Sequence, residues 1–177
     1  LFEQTVQTMS KIKLNGRIYP ISFNISASSL EDLNLPDILA SIMNQYELSN
    51  NLVTIEITES TVVDKLSISL DVLTRMRIKG FGLSIDDFGT GYSSMKLLHQ
   101  IPFTELKIDQ QFVHNSSEDE SARAILEFCS SLAKKLNLQI VAEGVESNDD
   151  WDSATSVGCD EIQGYYIAKP IRDVPFS

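Results

Sequence analysis

Five side chains in this sequence offer hard oxygen donors: Asn24, Glu56, Asp86, Asp87 and Glu143, four carboxylates and one amide. That donor set suits Mg²⁺ or Mn²⁺ rather than a thiolate-seeking metal. The adjacent pair Asp86-Asp87 matters most. Neighbouring carboxylates repel unless a cation lies beside them, and a carboxylate that bridges with both oxygens can hold two metals a few ångströms apart. Two-metal sites of that kind suit in-line displacement at phosphorus, one ion activating water and the other stabilising the leaving oxygen. Taken alone, Asp86-Asp87-Phe88-Gly89 also reads as the start of a turn, because Asp is a good turn residue; Asn24, Glu56 and Glu143 shift the reading toward a metal. Lys107 has Glu105 and Asp109 on its own strand face, so a structural ion pair rivals a role in orienting water or holding a phosphate oxygen. The Gly89-Thr90-Gly91 stretch reads as a mobile loop whose glycines permit positive φ, without the spacing of a phosphate-cradling loop. His99 and His114 keep no metal-ligand company and receive no role.

These residues need elements to carry them, and the chain alternates short β-rich runs with helical patterns. Strands are expected over residues 21–26, 52–58, 83–87, 104–109, 138–143 and 161–164. Helical spacing covers 36–48, 64–79, 120–136 and 149–157, with a weaker segment at 93–100 and a polar loop at 114–120. Pro36 suits a first helical turn, and Gly80 and Gly158 suit C-terminal stops. Repeated strand, helix, strand implies a parallel α/β domain. Within the strands, residues i and i+2 share a face. Ile55 and Ile57, Leu83 and Ile85, Leu106 and Ile108 are made to pack under helices. The opposite faces carry Asn24, Glu56, Asp86 and Lys107 near the strand ends, and Glu143 and Gln163 stand at comparable places. An open doubly wound sheet gives no reason for successive strands to aim polar groups at one point, whereas strand ends converge at the mouth of a (β/α)8 barrel.

Composition narrows the partners. The 177 residues carry 14 Lys and Arg against 25 Asp and Glu, a net charge of −11. That argues against an electrostatic grip on DNA, RNA or an anionic membrane surface, and a phosphate-bearing ligand would need divalent metal to neutralise it. No apolar run is long enough to span a bilayer. Cys129 and Cys159 lack CxxC spacing and read as buried thiols in a reducing, cytoplasmic compartment.

Six motifs, in order and spacing, resemble the EAL-domain phosphodiesterases of bacterial cyclic di-GMP signalling. They are Asn24-Ile25-Ser26, Glu56-Ile57-Thr58-Glu59-Ser60, the run from Asp86-Asp87-Phe88-Gly89 to Ser94, Lys107-Ile108-Asp109, Ala142-Glu143-Gly144-Val145-Glu146 and Gln163-Gly164-Tyr165-Tyr166. The resemblance implies a modified TIM (β/α)8 barrel that uses Mg²⁺ or Mn²⁺, two ions, to hydrolyse cyclic di-GMP to linear pGpG. It implies that Asn24, Glu56 and Asp86 bind one metal, that Asp86 and Asp87 face the second, and that Lys107 contacts the attacking water. Glu143 is similar to the family's general base or metal partner, and Gln163 to its substrate-side glutamine. Glu59 and Glu146 are similar to supporting residues, Glu59 for the loop after Asp86-Asp87. A fused sensor or regulatory domain in the parent protein is implied, and a homodimer is left open.

The sequence departs from the family pattern at one point: the Glu-Ala-Leu tripeptide, with its metal-binding glutamate and a nearby phosphate-binding arginine, belongs upstream of Asn24 and does not occur. Residues 1–10 read as the end of the helix before the first strand. Six units in 177 residues is about 30 residues each, so eight would need roughly 240. The expectation is an N-terminally incomplete EAL-type domain spanning 1–177, with about six of eight units, itself impaired in metal and substrate binding. The other reading is a catalytically silent cyclic di-GMP receptor or protein-interaction module. Degenerate members lose acidic positions, and none of those visible is lost here, which favours the enzyme.

Overall fold

The computed structural model describes residues 1–12, 18–58, 61, 66–89, 94–114 and 116–171. Among these residues six strands form one sheet: β1 (Ile21–Asn24), β2 (Val53–Thr58), β3 (Gly82–Phe88), β4 (Glu105–Ile108), β5 (Gln139–Ala142) and β6 (Glu161–Ile162). They lie in chain order, and every neighbouring pair is parallel. Parallel neighbours need crossovers, and helices supply them. The helices are α1 (Phe2–Lys11), α2 (Leu35–Gln45), α3 (Leu66–Ile78), α4 (Ser94–Gln100), α5 (Gln110–His114), α6 (Glu120–Leu136) and α7 (Asn148–Val157).

Local chemistry sets the helix ends. Pro36 lies in the first turn of α2, where its missing N–H is no loss. Asp119 caps α6 by accepting from the backbone of Ser121 and Ala122, and Asn137 closes that helix at φ 59°. Ser147 and Asp150 form a reciprocal capping box on α7, which stops at Gly158 with φ 79°. The short α5 falls between the expected fourth strand and the expected polar loop at 114–120. It forms because Asp109 turns the chain as soon as β4 ends, its Oδ1 accepting from the Gln111 N–H at 2.8 Å. Five residues are too few for an apolar period to reveal.

The helix-facing side of the sheet is the core. Ile55, Ile57, Leu83, Ile85, Leu106, Ile108 and Ile140 are fully buried, and Met43, Leu73, Met76, Leu97 and Leu126 cover them from α2, α3, α4 and α6. Burying a Leu or Ile side chain contributes about 1.5–3 kcal/mol, so this layer is the main source of stability. Both cysteines are free; Cys129 is fully inside, Cys159 only partly, and burial pushes each thiol up to about 11. Among the described residues no helix is long and apolar enough to cross a membrane. Glu59 and residues 90–93 lie outside the described residues.

Candidate active site

The polar faces of the strands meet where alternation places them. Register pairs Asn24 with Glu56 and Thr58 with Asp86. Between the pairs Ile85–Leu106 and Phe88–Ile108 the ladder slips, so Asp86 and Asp87 together oppose the single residue Lys107. This β-bulge answers a problem that strict alternation poses. Successive strand residues point to opposite faces, which would send Asp87 toward the helices. Asp87 instead adopts φ 55°, a left-handed conformation that Asp tolerates better than most residues, and Phe88 returns to the core at 2% exposure.

The bulge brings one carboxylate oxygen each from Asp86, Asp87 and Glu143 within 4.8 Å of one another. Lys107 reaches into the same place from β4. Its Nζ lies 2.6 Å from Glu143 Oε1, 2.9 Å from Glu56 Oε1 and 3.6 Å from Asp86 Oδ1. Glu56 Oε2 accepts from Asn24 Nδ2 at 2.9 Å. Lys107 and Glu56 are buried, while Asp86, Asp87 and Glu143 are partly accessible.

Burial and crowding set the protonation of the cluster. Burial alone would lower the Lys107 pKa, but its hydrogen bonds to Glu143 and Glu56 more than reverse that, and the ammonium is held above its ordinary value. Burial pushes Glu143 up to about 7; Lys107 opposes the shift and Asp86 adds to it. Asp87 is also raised, first by burial and then by the charges of Asp86 and Asp109. Carboxylates raised by one another's charge form a site in which added positive charge is favourable. All-oxygen, partly accessible donors of this kind fit a hard divalent cation.

Of the residues singled out from the sequence, Asn24, Glu56, Asp86, Asp87, Lys107 and Glu143 come together. The carboxylates nearest one another are Asp86, Asp87 and Glu143, while Glu56 is engaged by Asn24 and Lys107. Glu105 is buried on the same strand face as Lys107, and burial raises its carboxyl. Gln163 is exposed just beyond β6, its backbone bonded to Ala142 and Val145. The Glu146 side chain is exposed as well, and its backbone N–H donates to Asp150 Oδ2 at 3.0 Å. One residue given no role from sequence does have a partner: His114 Nδ1 lies 3.1 Å from Asp150 Oδ2. The two are 36 positions apart, and only the fold of α5 against α7 makes them neighbours.

Known proteins are similar to this chain in sequence and in fold. The family model of the EAL domain matches residues 1–170. The chain is 34% identical over 176 residues to the cyclic di-GMP phosphodiesterase RocR of Pseudomonas aeruginosa, covering 99% of this chain and 45% of that protein. It is 32% identical over 172 residues to the cyclic di-GMP phosphodiesterase PdeR of Escherichia coli, covering 97% of this chain and 26% of that protein. It therefore spans less than half the length of either relative. Among solved structures, a c-di-GMP complex of the PaMucR phosphodiesterase superposes with a TM-score of 0.88 at 34% identity, over 96% of this chain and 69% of that one. The EAL domain of Mycobacterium smegmatis DcpA gives a TM-score of 0.88 at 34% identity, over 96% and 77% of the two chains. The six parallel strands are thus part of a TIM-barrel-like fold, and the chain belongs to the EAL domain family.

Proposed function

We propose that the protein carrying this chain is a metal-dependent phosphodiesterase that hydrolyses cyclic di-GMP to linear pGpG in bacterial second-messenger signalling. The observation that carries this reading is the bulge that turns Asp86 and Asp87 together onto Lys107, with Glu143 completing a group of three carboxylates. The names of RocR and PdeR support the substrate. Asp86, Asp87 and Glu143, with Glu56 and Asn24 beside them, are the residues that would hold Mg²⁺ or Mn²⁺, and the pairing of Asp86 with Asp87 suits two ions. Bound there, divalent metal supplies Lewis acidity that polarises the phosphodiester and makes water a stronger nucleophile.

The chain's own side chains do the rest. A water oxygen bonds to phosphorus, one P–O bond to ribose breaks and opens the ring, and the released ribose oxygen takes a proton. The Glu143 carboxylate, 2.6 Å from the Lys107 ammonium, serves as the general base that accepts a proton from that water or as a metal partner. The Lys107 ammonium, fixed by two carboxylates, orients the water or holds a phosphate oxygen. Gln163, exposed just beyond β6, contacts substrate, and Glu59 and Glu146 support the neighbouring loops. By the same reading the reaction is cytoplasmic and takes its input from a fused sensor or regulatory domain, which the greater length of RocR and PdeR supports.

Chromatography of cyclic di-GMP incubated with the full-length protein and Mg²⁺ tests this. Accumulation of pGpG is expected. Nucleotide that is bound but recovered cyclic would overturn the enzyme reading in favour of a receptor.

A further inference from the structure

We infer that His114 and Asp150 are positioning residues that tether the loop bearing Glu143 and so set Glu143 against Lys107. This rests on the reading that those two side chains act in hydrolysis. Sheet register alone does not fix their contact. Lys107 lies within β4, opposite Val141, whereas Glu143 stands one residue beyond the end of β5. The Glu143 N–H donates to the Ile108 carbonyl at the end of β4 at 3.2 Å, so the ladder anchors its backbone, and the path of residues 144–147 sets how its side chain leaves that anchor.

Helix α5, which follows β4 almost directly, touches that path at both ends. At its start, Gln110 packs against Gly144 so closely that a Cβ on residue 144 would lie 2.3 Å from the Gln110 Cβ, and Gly144 has φ 67°. At its end, His114 reaches Asp150. A single oxygen, Asp150 Oδ2, accepts from Glu146 N and Ser147 N at 3.0 Å each and lies 3.1 Å from His114 Nδ1. Asp150 is 5% exposed. A carboxylate only accepts, so Nδ1 carries the hydrogen. The bonds from residues 146 and 147 suffice to cap α7, and their donors belong to that helix's own entry. The bond from His114 comes from a different element and adds nothing to the cap. Its effect is to add, through α5, a second tie between β4 and the loop that carries Glu143. A buried carboxylate holds such a donor firmly, because losing one leaves a desolvated charge short of partners.

The test compares His114→Leu with His114→Asn in the full-length protein, since the Asn Nδ2 stands near the position of the imidazole Nδ1 and keeps the donor. For cyclic di-GMP hydrolysis with Mg²⁺, Leu is expected to lower kcat roughly tenfold or more with KM little changed, because a small misplacement of a reacting group slows chemistry more than binding. Asn is expected to restore most of kcat. The second readout is the ¹⁵N–¹H resonance of the Lys107 ammonium in metal-free protein. That resonance should persist in wild type and His114→Asn and broaden or shift in His114→Leu. Unchanged kcat and an unchanged Lys107 resonance in His114→Leu would overturn the inference, as would a loss that Asn fails to rescue and that merely follows the melting temperature. If wild type itself does not turn over, the phosphodiesterase reading fails, and the Lys107 resonance still decides the tether.

Discussion

Lys107 is the residue on which the site's electrostatics turn. Its side chain is 5% exposed and shares its charge with Glu56, at 6%, and Glu143, at 17%. Breaking a buried ion pair by removing one partner costs about 3–5 kcal/mol, because the other charge stays desolvated. Lys107→Met is therefore expected to destabilise the metal-free protein by about that amount in urea denaturation with chelator present. Burial already pushes Glu143 up to about 7, and losing the opposing ammonium raises it further. A carboxyl whose folded pKa lies above its unfolded value favours the folded state at low pH and loses that contribution as pH rises. The deficit of Lys107→Met should then be larger at pH 8 than at pH 6, and a deficit independent of pH would contradict the pairing. Asp86 carries a second expectation, since it takes part in the carboxylate group and also faces Lys107. Asp86→Asn should remove most hydrolysis, on the order of a hundredfold or more, while leaving the far-UV circular dichroism and the urea midpoint near wild type. Activity within a few-fold of wild type would refute its role.

At the scale of elements, the capping box on α7 makes its own prediction. Burial would raise the Asp150 carboxyl, but hydrogen bonds from Glu146, Ser147 and His114 outweigh it and hold the pKa below the usual range. Such a group adds stability that is full above its unfolded value and is lost as pH falls through the folded one. Asp150→Asn should cost about 1 kcal/mol at pH 7 and progressively less toward pH 3, read from paired urea titrations. The elements also show how far the sequence could be read. The six strands were legible because their apolar faces alternate cleanly, as in Ile55 and Ile57 or Leu83 and Ile85, α6 because its apolar residues keep helical spacing, and α7 because Gly158 closes it. The site was legible as a set of residue types at strand ends. The bulge was not, because one slipped register leaves no compositional trace; it is encoded only in Asp87 accepting φ 55° while Phe88 fills the core. The contact of His114 with Asp150 was hidden for a different reason. It depends on α5, a helix of five residues, and joins positions 36 apart.

For the molecule as a whole, the charge of −11 and the group of carboxylates at the strand ends act together. An acidic protein repels a phosphodiester unless cations intervene, so the partner of that charge should be a divalent ion held at one place and not a diffuse salt atmosphere. At constant ionic strength, millimolar Mg²⁺ should raise the melting temperature by more than an equivalent amount of Na⁺, and Asp86→Asn should reduce the difference. Equal shifts from both salts would point to screening alone. On the proposed function, this acidic constellation hydrolyses cyclic di-GMP with the help of divalent metal. The most direct measurement is the initial rate of pGpG formation by the full-length protein at fixed ionic strength, titrated with Mg²⁺ and then quenched with EDTA. The predicted result is a rate that rises and saturates with Mg²⁺ and falls to background in EDTA. A rate unchanged by EDTA, or cyclic di-GMP bound and left intact at saturating Mg²⁺, would contradict it.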